Sequence, residues 1–200
     1  MARPRLAERQ PYDRDRVVDA AVRVFTERGY DGTTMADIAA ALGIHKTSIY
    51  HHVASKEQLL EDALKRGLDA LHGMLAEPDA VEGRAVDRLR YVVRRTVEIM
   101  VDRLPEVTVL LRVRGNTATE RWALARRRDF DRAVERIVSD AIAEGDLIRE
   151  VDAALVTRLV FGMSNSVSEW YQRGGRMSAA QIADAIERIV FEGLQTDPAS

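Results

Sequence analysis

The side chains best suited to chemistry are gathered in one stretch, TTMADIAAALGIHKTSIYHH at 33–52. Two short helices meet there at Gly43, a residue that tolerates the positive φ of a tight turn. Met35, Ile38, Leu42, Ile44 and Ile49 can pack inward. At about 100° per residue, with Ile49 inward, Thr47 and His51 point nearly opposite it and Tyr50 lies beside them. Lys46 and His52 flank that face. Donors, acceptors and flat rings on one helix face suit the base edges and phosphates of a DNA major groove. A polar helix face can equally be a solvated surface, so the pattern needs further support.

Other chemistries fit less well. Three histidines within eight residues suggest a metal, but His45 and His52 stand about 10 Å apart along a helix and His51 and His52 diverge. No metal site and no cofactor is expected. The chain has no cysteine, which excludes a disulfide framework and a thiolate nucleophile and fits a reducing compartment. G-x-S-x-G, H-E-x-x-H, P-loop and G-x-G-x-x-G patterns are all missing, so an enzyme is not expected. The alternative to a DNA reader is an all-α adaptor that binds protein through amphipathic helices. Such an adaptor has no need for the polar face after Gly43.

The elements that must position this face are helical throughout. Val17, Val18, Ala21, Val24 and Phe25 form a stripe at 3.6-residue spacing, closed by Gly29. Capping-box patterns at Thr34, Ser55, Thr117 and Ser178, with Asp152, mark helix starts. Gly43, Gly145 and Gly174-Gly175 mark stops. Pro78 and Gly83 read as a loop. A helix over 86–103 is expected to end before Pro105, with a short apolar one over 107–113. The fold class is all-α with about nine helices. Residues 1–12 read as a basic flexible arm, 13–60 as a helix-turn-helix domain and 61–200 as a helical body.

Composition agrees. Of 200 residues, 46% are hydrophobic and 31% charged, enough apolar material for a core. Residues 1–56 carry nine Lys and Arg against seven Asp and Glu, and the remainder carries 21 against 25. A mildly basic head on an acidic body suits contact with a polyanion. No segment approaches the roughly 20 apolar residues of a membrane span, and the N-terminus lacks the apolar run of a secretory signal. A soluble cytoplasmic protein is expected, with no membrane partner.

Residues 13–60 resemble the DNA-binding domain of the TetR (tetracycline-repressor-like) transcriptional regulators. The resemblance is carried by Gly29-Tyr30, Thr33-Thr34, Ile38-Ala39, Leu42-Gly43-Ile44, Ile49-Tyr50, His52 and Ser55-Lys56-Glu57. It implies that Thr33 or Thr34 holds a phosphate. It implies further that Lys46, Thr47, Ser48, Tyr50, His51 and His52 face double-stranded DNA, and that Lys56 grips its backbone. His45-Lys46 departs from the Ser-Lys or Ser-Arg of many members and deprives the second helix of a hydroxyl N-cap.

The resemblance extends more loosely over 65–196, which in the family dimerises and holds a small-molecule pocket. Gly162, Met163, Ser166 and Trp170, with the stripe Ile182, Ile186, Ile189 and Val190, fit a homodimer interface or ordinary core packing. Candidate pocket residues are Tyr91, Met100, Leu104, Leu110, Leu111, Trp122, Phe161 and Trp170, many of which could instead be core. An arginine cluster follows: Arg112, Arg114, Arg121, Arg126, Arg127 and Arg128. FDRAVERIVSDAIAEGDL and SEWYQRGG are similar to regulators that sense acyl-CoA thioesters. For such an effector Arg127 and Arg128 would meet the phosphates, although these arginines can equally pair with Glu120, Asp129 and Asp131. The implied function is a homodimeric repressor released from a palindromic operator by a small molecule.

Overall fold

The computed structural model describes residues 13–193 as ten helices with no strand among them. The basic arm expected at 1–12 lies outside the described residues. The chain divides into two compact units, Met1–Ala63 and Leu64–Ser200.

The first unit holds α1 (Arg14–Arg28), α2 (Met35–Leu42), α3 (Lys46–Ile49) and the start of α4 (Lys56–Met74). Local chemistry sets each boundary. Asp13 caps α1 by accepting from the Arg16 N–H at 2.9 Å. Thr34 and Asp37 cap α2 reciprocally, with Thr34 N to Asp37 Oδ2 at 2.8 Å and Asp37 N to Thr34 Oγ1 at 3.2 Å. Arg28 joins them through a 2.7 Å ion pair to Asp37. The Asp37 carboxyl is held below its ordinary value, chiefly by the Thr34 hydroxyl and then by Arg28. Gly43, at φ 67° and ψ 31°, ends α2. Its N–H bonds Ala40 O while Ile44 N–H reaches back to Ala39 O, the paired closure that a left-handed residue permits. Ser55 Oγ accepts from Gln58 N, and Gln58 Oε1 accepts from Ala54 N. The box expected at Ser55 thus reaches one residue further upstream.

The second helix of the motif is shorter than the 45–52 segment suggested. It has four residues, and Tyr50, His51 and His52 continue it only as turns. His45 caps it without a side-chain hydrogen bond.

The second unit adds α5 (Pro78–Val81), α6 (Ala85–Asp102), α7 (Leu104–Arg112), α8 (Ala118–Ala143), α9 (Ala153–Trp170) and α10 (Ala179–Phe191). α6 is central and packs against α5, α7, α8, α9 and α10. Its Leu89, Val92, Val93, Val97 and Met100 are buried. Two prolines depart from the sequence reading for one reason. Pro78 opens α5, the tenth helix, in what read as a loop. Pro105 lies in the first turn of α7, which starts at Leu104 rather than near Val107. A proline in the first turn loses no helical hydrogen bond, so it starts helices as readily as it ends them.

Candidate nucleic-acid interface and ligand pocket

α3 carries its polar groups outward because Ile49 alone is anchored. Ile49 is fully buried. Lys46, Thr47, Tyr50 and His51 are exposed, and Ser48 and His52 are half-buried. Tyr50 leaves 47% of its surface to solvent, unusual for a large ring without a partner to meet. Thr34 is exposed at the start of α2.

Two residues of the expected face are turned to other tasks. Thr33 is 1% exposed, and its hydroxyl donates to Gly29 O at 2.7 Å. A phosphate cannot reach it, so Thr34 is the threonine available for that contact. Lys56 donates from Nζ to Tyr30 O and Thr33 O, both at 2.8 Å, and its ammonium lies 4.2 Å from the Tyr30 ring centroid. Tyr30 in turn meets Phe25 edge-on at 5.3 Å. Lys56 therefore ties the α1–α2 corner to α4, a structural task beside the backbone-gripping role that the resemblance implies for it.

The second unit contains two clefts that share part of their lining. The inner chamber, of about 30 Å³, is lined mainly by apolar groups: Leu71, Met100, Val107, Leu110, Leu111, Phe130 and Phe161, with Thr96, Arg127, Asp131 and Asn165. The outer one, of about 540 Å³, shares Leu111, Arg127 and Asn165 with it. Thr108, Arg112, Gly162, Ser166, Ser168 and Glu169 complete it. Of the residues expected to line a pocket, Met100, Leu110, Leu111, Phe161 and Arg127 do so.

The others are placed elsewhere. Tyr91 hydrogen-bonds Glu77 beside Arg95, and burial and Glu77 raise its hydroxyl pKa. Leu104 packs against the core cluster. Trp122 is exposed, and so is Trp170, whose Nε1 lies 3.5 Å from Ser166 Oγ. Arg128 lines another cleft with Arg132, Glu135, Thr157 and Arg158, which shares Asp131 with the inner chamber. Arg127 and Arg128 are adjacent on α8 and point about 100° apart, and they line different clefts. Arg121 bonds the loop carbonyls of Gly115 and Asn116. Sequence reasoning missed Thr96, Asp131 and Asn165, although each stands one helical turn from a predicted residue: Met100, Arg127 and Phe161. That i, i+4 neighbourhood was the available signal.

Burial raises the pKa of Asp131, partly offset by Arg127 and then Arg158. As pH rises the unfolded chain therefore releases this proton first, and ionisation of Asp131 weakens the fold. Asp131→Asn is expected to raise the melting temperature near neutral pH. The gain should shrink as pH falls below the ordinary carboxylate value of about 3.9. Thermal melts of both proteins across pH check this, and a gap independent of pH would contradict it.

The stripe expected on α10 is divided. Ile182 and Ile186 are buried against the core cluster, because α10 turns that face to α6. They are core residues rather than interface residues. Ile189 is exposed and Val190 half-buried. On α9, Gly162 and Ser166 are exposed and Met163 half-buried. They continue an outward line with Leu155, Leu159 and Trp170, which are 48%, 60% and 51% exposed.

Comparison with known proteins follows this division. The family model described as "Bacterial regulatory proteins, tetR family" matches residues 17–63, and "Tetracyclin repressor-like, C-terminal domain" matches 82–194. The solved structure of SCO3833, a TetR-family member from Streptomyces coelicolor A3, is 52% identical. It covers 95% of this chain and 94% of its own, with a TM-score of 0.85. AibR in complex with isovaleryl coenzyme A and operator DNA is 30% identical over 89% of this chain and 97% of its own, with a TM-score of 0.77. The transcriptional repressor KstR2 of Mycolicibacterium smegmatis is 27% identical over 90% of each chain. The helix-turn-helix unit, the helical second unit and these matches together place the chain in the TetR family of bacterial transcriptional regulators.

Proposed function

We propose that this protein is a ligand-responsive DNA-binding repressor that acts as a homodimer, sits on a palindromic operator and is released by an acyl-CoA thioester. The observation that carries the DNA reading is the exposed set Lys46, Thr47, Tyr50 and His51 mounted over buried Ile49. Thr34 is placed for a phosphate. The outward line of α9, with Ile189, supplies the dimer face, and two heads then meet two half-sites. The protein works in the cytoplasm and catalyses no reaction.

The paired clefts support the effector class. The inner chamber has room for about one water-sized group, so an acyl chain enters by displacing flexible side chains such as Met100 and Leu111. The outer cleft, with Arg112 and Arg127, suits the charged part of the thioester. AibR was solved with isovaleryl coenzyme A bound, a compound of this kind. The ligand must bind the DNA-free geometry better than the DNA-bound one, or it shifts nothing.

Fluorescence anisotropy with a duplex from the region upstream of the protein's own coding sequence tests the reading. Binding is expected to weaken steeply with salt, as phosphate contacts require, and acyl-CoA thioesters should reverse it. Tyr50→Ala is expected to cost about 1–3 kcal/mol of specific binding with no change in melting temperature, because the ring is exposed. Salt-insensitive binding, or full affinity in the Tyr50 variant, contradicts this assignment.

A further inference from the structure

The inner chamber is apolar along most of its wall, yet Asp131 is among the residues that line it. Asp131 lies one helical turn after Arg127 and one residue after Phe130 on α8. An acid and a base four residues apart on a helix can close into an ion pair, less readily when the base comes first as it does here. These two do not. Neither Arg127 nor Asp131 makes a hydrogen bond or a contact ion pair among the described residues, although Arg127 and Arg158 both act on Asp131 through space. The Asn165 side chain, facing the same chamber from α9, likewise has no hydrogen-bond partner among the described residues. A purely hydrocarbon guest would cover the chamber side of half-buried Asp131 and offer it no hydrogen bond there. A guest with a hydroxyl would supply that bond, and a site built to hydrogen-bond a hydroxyl discriminates strongly against the analogue without one.

We propose that Asp131 is a specificity-determining residue that accepts a hydrogen bond from a hydroxyl on the acyl part of the effector, so that the protein prefers a hydroxyacyl thioester to its saturated parent. This rests on the acyl-thioester reading of the pocket. Arg127 is shared with the outer cleft, on the side of the thioester and phosphates, whereas Asp131 lines the inner chamber and the cleft of Arg128 and Arg158 beyond it.

Calorimetry on the full chain tests the proposal with butyryl- and hexanoyl-CoA against their 3-hydroxy counterparts. For at least one chain length the hydroxylated compound is expected to bind about tenfold tighter, the effect of one charge-assisted hydrogen bond. Asp131→Ala should bring the two affinities together. Asp131→Asn keeps an acceptor oxygen and should retain part of the preference, an outcome that a packing effect alone would not produce. Both variants remove an unpaired carboxylate and are expected to fold, which thermal melts check. Equal affinities in the wild-type protein overturn the proposal while leaving the effector class intact. A preference that survives in Asp131→Ala overturns it too, since the hydroxyl is then read elsewhere. If none of the four thioesters binds, the effector reading falls and takes the proposal with it.

Discussion

Replacing Ile49 with alanine is expected to abolish operator binding without any change on the reading face itself. α3 has four residues, too few to hold helical geometry unaided. Ile49 is its one fully buried side chain, so the position of Thr47, Tyr50 and His51 depends on that anchor. Truncating a buried isoleucine costs about 2–5 kcal/mol, a large share of the stability of a small unit. The prediction is separable from loss of a base contact. Ile49→Ala should lower protection from hydrogen exchange across α2 and α3 and remove specific binding. Tyr50→Ala should weaken specific binding and leave exchange protection unchanged. Normal exchange protection in the Ile49 variant would mean that α3 is held by something other than its own anchor.

Phe130→Ala is expected to be the most damaging single change in the second unit. Its ring lies 5.3 Å from Phe161 and meets His72 edge-on at 6.0 Å, while His72 Nε2 reaches Arg126 O at 3.0 Å. The residue thus joins the C-terminal part of α4 to α8 and α9 and forms one wall of the inner chamber. Phenylalanine-to-alanine changes in a core cost about 3–5 kcal/mol, and aromatic pairs add to the loss. The void opens into the chamber, so a bulkier acyl thioester should recover more of the lost stability than a short one. Thermal melts with a series of thioesters read both effects. A variant that melts like the wild-type protein would remove Phe130 from the core.

Helix limits and the exposed face of α3 were legible because both are encoded over a few residues. Thr34 with Asp37, Thr117 with Glu120 and Ser178 with Gln181 close capping boxes at the positions their spacing predicts. Gly43 sits in the left-handed turn expected of it. The phase of α3 follows from Ile49 and 3.6-residue geometry, with no knowledge of distant partners. The proline-led starts of α5 and α7 misled because proline signals an end and a beginning alike.

Tertiary structure alone decided which of several equivalent faces is covered. Ile182 and Ile186 read the same in sequence as Ile189, but α6 lies against the first two and leaves the third exposed. Arg127 and Arg128 are chemically identical neighbours, and the rotation of α8 against α6 and α9 gives them different clefts. Thr33 and Lys56 carry groups that could hold a phosphate. Their engagement with Gly29, Tyr30 and Thr33 follows from the fold of α1, α2 and α4 into one corner. Asp131 looked like one more surface acid in a charged helix until the packing of α6, α7 and α9 made it part of a chamber wall. Capping and helical phase are short-range properties that neighbouring residues set. Burial is a long-range property, set by which helices meet, and a single chain of residue types does not contain the angle at which they do.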